Sequence, residues 1–171
     1  MNEMERWDSG VATLRRLYEG LSPLRRYRAD KLAAAIKACK EKIHLITEKL
    51  GAADICAYCG GECCKKGKNH FSALDMIIFL HEGKKLFDPL FESKICPYMV
   101  DDRCLMGPEF RPYNCITFIC EKIENLLAET EKRRFYAMEK ELRSLYREME
   151  GIFDIDLRCS LLSVFERRHS Y

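Results

Sequence analysis

The sequence predicts a mainly α fold, a helical bundle that holds an irregular cysteine-rich metal-binding region at one end. Three observations carry this expectation. Apolar residues recur at alternating spacings of four and three in the N-terminal and C-terminal parts of the chain, the period of one helix face. Between those parts the pattern breaks up, with four of the five prolines between positions 84 and 112. Eight of the ten cysteines fall into the same interrupted stretch. At 171 residues the chain reads as a single domain, 1–171, with N-terminal helices over 1–51, a cysteine region over 52–120 and C-terminal helices over 121–171.

The elements follow in order. Trp7, Val11, Leu14, Tyr18 and Leu21 share one face of a first helix. Ser22-Pro23 supplies an N-cap and an N1 proline, which restarts the helix. The second helix runs to about Leu50 on a seam of Leu32, Ile36, Cys39, Ile43, Ile46 and Leu50, and Gly51 stops it. Residues 52–71 read as a loop rich in Gly and Lys. Ser72-Ala-Leu-Asp75 is a capping box with Asp in place of Glu, opening a short helix through about Leu80 that Gly83 closes. From Lys84 to Pro112 no element is compelling, although short strand pairs fit. A long helix is expected from Cys115 or Thr117 to Glu150, with a seam of Phe135, Met138, Leu142, Leu145, Met149 and Ile152, and a short last helix over Cys159–Arg168. The seams are expected to pack on each other.

Composition sets limits. Hydrophobic content of 47% and charged content of 33% suit a globular chain with a core. The formal net charge of +2, from 29 basic and 27 acidic side chains, leaves no electrostatic footprint for a nucleic acid or an anionic membrane. The charged start Met1–Asp8 has no apolar h-region, and no apolar run approaches a membrane span, so the expected compartment is a reducing cytoplasm. Cysteines there stay as thiols or bind metal, which argues against a disulfide scaffold.

Cys56-Ala-Tyr-Cys59 is a CxxC pair, the shortest loop that delivers two thiolates to one soft metal; Cys63-Cys64 follows, then Cys96, Cys104, Cys115 and Cys120. Eight thiolates can close two all-sulfur zinc sites or ligate iron–sulfur clusters, which take four ligands each. Adjacent Cys63 and Cys64 point in different directions, so either they serve two centres or one is a packed thiol. Gly60 and Gly61 allow a turn that aims backbone N–H groups at bound sulfur. Four thiolates leave a net −2 around Zn²⁺ or a [4Fe-4S]²⁺ core, which Lys65, Lys66, Lys68, Arg103 and Arg111 are placed to offset. Cys39 and Cys159 lie in apolar contexts and read as core thiols, while His70 and His81 are minor candidates as replacement ligands. No enzyme motif is present, neither HExxH nor a phosphate loop nor a nucleophile elbow.

The run Cys56 to Cys64, the Cys96-Pro97-Tyr98 step, Cys104-Leu-Met and Arg111-Pro112-Tyr-Asn-Cys115 together resemble the CxxCxxCC cysteine-cluster family, over about residues 56–120. These bacterial proteins are described as zinc- or iron-chelating and often as iron–sulfur-cluster-containing. The resemblance implies that Cys56, Cys59, Cys63, Cys64, Cys96, Cys104, Cys115 and Cys120 form the chelating set. The chain departs from the family in having three residues between Cys59 and Cys63 where the pattern has two. The expected function is binding of an iron–sulfur cluster, favoured over zinc, in a redox or electron-transfer role with a redox partner protein. The alternatives are a zinc-stapled helical interaction module without catalysis and a metal-dependent group transferase resembling flagellin lysine N-methylase.

Overall fold

The computed structural model describes residues 1–59, 62–83, 85–101, 103–153 and 156–164, and the chain is mainly helical. Helix α1 (Glu3–Glu19) opens on a capping box in which Asn2 Oδ1 accepts from the Glu5 amide at 2.9 Å and Glu5 Oε2 accepts from the Asn2 amide at 2.8 Å. It buries Trp7, Leu14 and Tyr18, with Val11 and Leu21 half-buried, as the spacing predicts. Helix α2 (Pro23–Glu48) starts at the Ser22 cap with Pro23 in its first turn. Its inward face is broader than the predicted seam: Ala29, Ala33 and Lys40 join Ile36, Cys39, Ile43 and Ile46.

Gly51 takes a left-handed conformation (φ 66°), which glycine adopts without a Cβ clash, and redirects the chain into α3 (Ala52–Tyr58). A 3-10 helix follows over Glu62–Asn69. The expected loop over 52–71 is therefore largely helical, in short pieces. Helix α4 (Ala73–Glu82) carries the Ser72/Asp75 capping box and ends at Gly83. It is the central element, buried along most of its length and packed against α1, α2 and α7 (Glu129–Glu150).

Between Lys85 and Pro112 the only sheet among the described residues is a hairpin, β1 (Met99–Val100) with β2 (Arg103–Cys104), antiparallel, pairing Met99 with Cys104. The expected unbroken helix from Cys115 is corrected: the chain forms α5 (Tyr113–Thr117), α6 (Glu121–Glu124) and then α7. Thr117 Oγ1 donates back to the Tyr113 carbonyl at 2.8 Å, and Phe118 leaves the helix in an extended conformation. Helix α7 buries Phe135, Leu142, Tyr146 and Met149 and packs along α2, so these two seams do meet.

The C-terminal segment folds back over the start of α4. The amides of Ala73 and Leu74 donate to the carbonyls of Cys159 and Leu157, and Leu161 donates to Phe71. The expected last helix is a 3-10 turn, Leu161–Ser163, and the remainder of that prediction lies outside the described residues. Gly10 makes room for this turn, since a Cβ there would sit 2.6 Å from the Leu161 carbonyl oxygen. Rings of Trp7, Phe71, Phe79, Phe87 and Tyr98 cluster with centroids 5.5–6.1 Å apart, edge-on or tilted, as aromatic quadrupoles prefer. Among the described residues, no helix is long and apolar enough to cross a membrane.

Candidate metal centre

The predicted ligands come from short elements grafted on this core. Cys56 lies in α3 and Cys59 follows it, its thiol donating to the Cys56 carbonyl at 3.3 Å. Cys63 belongs to the 3-10 helix, and Cys120 occupies the N-cap of α6, which packs against α3. The thiols whose charge acts on Cys56 are Cys63, Cys59 and Cys120. These four make a first group.

A second group gathers around Cys115. Cys64 follows Cys63 in the 3-10 helix, and Cys104 is brought over by the hairpin. Cys96 lies against Gly67, where a Cβ would approach its Sγ to 2.6 Å; the close approach requires glycine. Tyr98, two residues on, donates from its hydroxyl to the Lys68 carbonyl at 3.0 Å and so holds the hairpin base on the 3-10 helix. The thiols acting on Cys115 are Cys104, Cys96 and Cys64. Neighbouring Cys63 and Cys64 are joined by a side-chain hydrogen bond, and Cys63 leads Cys96 and Cys56 among the thiols acting on Cys64, so the two groups meet at this pair.

Burial pushes the thiols of Cys56, Cys96 and Cys115 above their ordinary value, and that of Cys64 up to about 12, with the neighbouring thiols adding to each. Cys115 is exposed to water. His70 Nδ1 stands 3.4 Å from its Sγ. His81 is engaged instead with Asp30, its Nδ1 3.1 Å from Asp30 Oδ1.

The two remaining cysteines are core residues. Cys39 is buried on the α2 face, where its thiol donates to the Met138 carbonyl at 3.5 Å and burial raises it to about 11. Cys159 is buried as well and donates to the Asp156 carbonyl.

Among the described residues, no three His, Cys, Asp or Glu side chains stand close enough together to hold one metal ion as they are. The donor chemistry nevertheless fits a thiolate-bound metal or cluster. All eight side chains are soft ligands, and none is tied in a disulfide. The buried Nε of Arg111 has no hydrogen-bond partner, and the same guanidinium acts on Cys56. A buried N–H donor without a partner is costly, and thiolate or sulfide is an acceptor for it.

Two of the four other predicted counter-charges are engaged elsewhere. Lys65 pairs with Glu62, and Lys68 with Glu3 of α1. The predicted turn at Gly60 and Gly61 lies outside the described residues. Sequence reasoning missed Lys40, which is fully buried and hydrogen-bonded to Asp75 Oδ1 at 3.0 Å. Its position four after Ile36 and three before Ile43 was the available signal, a charge on an apolar helix face. Comparison with protein-family models, with curated proteins and with solved structures finds no match to this chain.

Proposed function

We propose that the chain is a metal- or iron–sulfur-binding protein of the CxxCxxCC type, acting in electron transfer or redox sensing. The first group, Cys56, Cys59, Cys63 and Cys120, would hold one centre, and the second, Cys64, Cys96, Cys104 and Cys115, another. The observation that carries this reading is the contrast among the thiols: Cys39 and Cys159 are buried in the core, whereas Cys56, Cys59, Cys63, Cys64, Cys104, Cys115 and Cys120 are half-buried or exposed and none is tied in a disulfide. Core packing does not call for so many thiols outside the core, whereas soft thiolates suit zinc and iron–sulfur clusters.

Bound there, an iron–sulfur cluster supplies one-electron chemistry, an electron arriving from a reduced partner protein and leaving to an oxidised one with no bond made. The chain's own contribution is to hold the thiolates, exclude water on the core side and present the exposed Cys115 and Cys63 towards a partner. A zinc-stapled module is the second reading, favoured by α3, which buries none of its own residues and needs another source of anchorage.

Anaerobic purification, followed by an absorption spectrum and metal and sulfide analysis of one sample, tests the proposal. A brown protein with a broad band near ~400 nm and matched iron and sulfide is expected. A colourless sample with about two zinc ions per chain moves the function to the interaction module. Protein that holds neither metal after aerobic and anaerobic reconstitution sinks both readings.

Metal uptake is also expected to depend on pH. A ligating thiol must lose its proton, and burial holds Cys56, Cys64, Cys96 and Cys115 in the protonated form at neutral pH. Raised thiol values therefore weaken binding as pH falls. Zinc competition titrations between about pH 8 and 6 should show affinity dropping by about tenfold per unit for each proton released. A flat profile would mean that these thiols are not the ligands.

A further inference from the structure

Outside the thiol groups, a cavity of about 510 Å³ opens between the last turns of α4, the stretch 85–88 and the turn that follows the hairpin. That size falls in the range of small-molecule sites, which pair an apolar wall with a few polar groups. The wall here is aromatic. Phe79 from α4, Phe87, and Phe110 from a 3-10 turn (Pro108–Phe110) line it, and the rings of Phe79 and Phe110 lie 4.5 Å apart. Leu105 lines it as well and is left 40% exposed, an apolar surface for a ligand to cover.

The charged groups at this cavity are Asp88, Glu109 and Lys85. Among the described residues neither carboxylate has a hydrogen-bond or ion-pair partner, whereas Glu82 pairs with Lys37 and Glu139 with Arg143. Glu109 is placed by its neighbour. A Cβ on Gly107 would come within 2.5 Å of Glu109 Oε2, so the missing side chain lets the carboxylate fold back over the backbone. Lys85 is exposed, and the other ammonium near the wall, that of Lys37 at 5.3 Å from the Phe110 ring centre, is offset by Glu82. The excess charge is therefore negative, and the faces of aromatic rings are negative as well.

We propose that this cavity binds a small organic cation, an ammonium group carried on an apolar body. The body covers the rings and Leu105, and the ammonium is shared between Asp88, Glu109 and the aromatic wall. An anionic ligand meets two carboxylates for one exposed lysine, so charge selects against it. The proposal is independent of the metal-binding reading.

The test uses the full chain as purified and three probes, benzyltrimethylammonium, benzyl alcohol and phenylacetate, which share a phenyl ring and differ in charge. Calorimetric titration gives the affinities. Trp7 reports the place of binding: it is the only tryptophan, is buried, and its ring lies 5.8 Å from that of Phe87 in the cavity wall, so filling the cavity changes its fluorescence. The cation should bind with a Kd below about 1 mM, at least about tenfold more tightly than phenylacetate. Asp88→Asn and Glu109→Gln should each weaken the cation by about three- to fivefold and leave benzyl alcohol unchanged, since each removes one charge outside the core. Gly107→Ala keeps every charge but displaces the Glu109 carboxylate, and should weaken the cation to a similar degree. Equal affinities for the three probes, or tighter binding of phenylacetate, overturn the proposal. So does a cation affinity that both charge variants leave unchanged, or heat of binding without a change at Trp7. The absence of heat from every probe at about 10 mM overturns it too.

Discussion

Cys59→Ser is expected to lose about half of the bound metal and Cys104→Ser the other half, while the double variant retains almost none. The reason is geometric. Cys59 belongs to the set built on α3 and α6, whereas Cys104 arrives on the hairpin beside Cys96 and Cys115. A serine hydroxyl does not replace a thiolate for a soft metal, so one lost ligand opens a four-coordinate site. Cys39→Ser is the control. It puts a hydroxyl into the α2–α7 core, where it should cost about 1 kcal/mol and leave the metal content unchanged. Metal analysis of the four purified variants decides. Complete loss from Cys59→Ser alone would show a single shared centre, and equal loss from Cys39→Ser would refute the division between ligands and core thiols.

Phe71→Ala should be the most destabilising substitution of a single core ring. Phe71 is fully buried against Trp7, Phe79, Phe87 and Tyr98, and its carbonyl receives the Leu161 amide at 2.9 Å. Truncating such a ring costs about 3–5 kcal/mol once the residual cavity is included. For a chain of this size that lowers Tm by roughly 10 °C. Tyr98 leans on the same ring and ties the hairpin to the 3-10 helix, so the damage extends to the second thiol group. Thermal melts followed by circular dichroism, with and without metal, check both parts. A drop of less than about 2 °C would mean that the aromatic cluster is not the keystone of the core.

Much of this architecture could be read before any coordinates. Caps are local chemistry, and Ser-Pro and Ser-x-x-Asp mark the starts of α2 and α4 because each satisfies backbone donors within one turn. The seams of α2 and α7 follow from helical periodicity. The break between α5 and α7 was not legible, since neither glycine nor proline stands at residues 117–128 and the interruption comes from a side-chain bond of Thr117 and from tertiary placement of Cys120. The small helices over 52–69 were hidden for a similar reason, as their sequence has no periodic apolar face to announce them. At the site, the spacing of the cysteines named the candidates. Their division into two groups could not be read, because it depends on the hairpin and on α6 folding back over α3. Lys40 was overlooked because a single charge within an apolar seam reads as a flaw in the pattern until its partner, 35 residues away, is known.

The uneven footing of the two thiol groups has a consequence for the order of events during maturation. Cys96, Gly67 and Tyr98 are buried in the aromatic core, whereas α3 contributes no buried residue. Local opening is cheapest where few apolar contacts must be broken. The segment around Cys96 is thus set as soon as the core folds, whereas that around Cys56 and Cys59 settles only when its short helix is captured. Loading would proceed from the inside outwards and loss from the outside inwards. If both sites bind metal as proposed, the outer one would be the labile one.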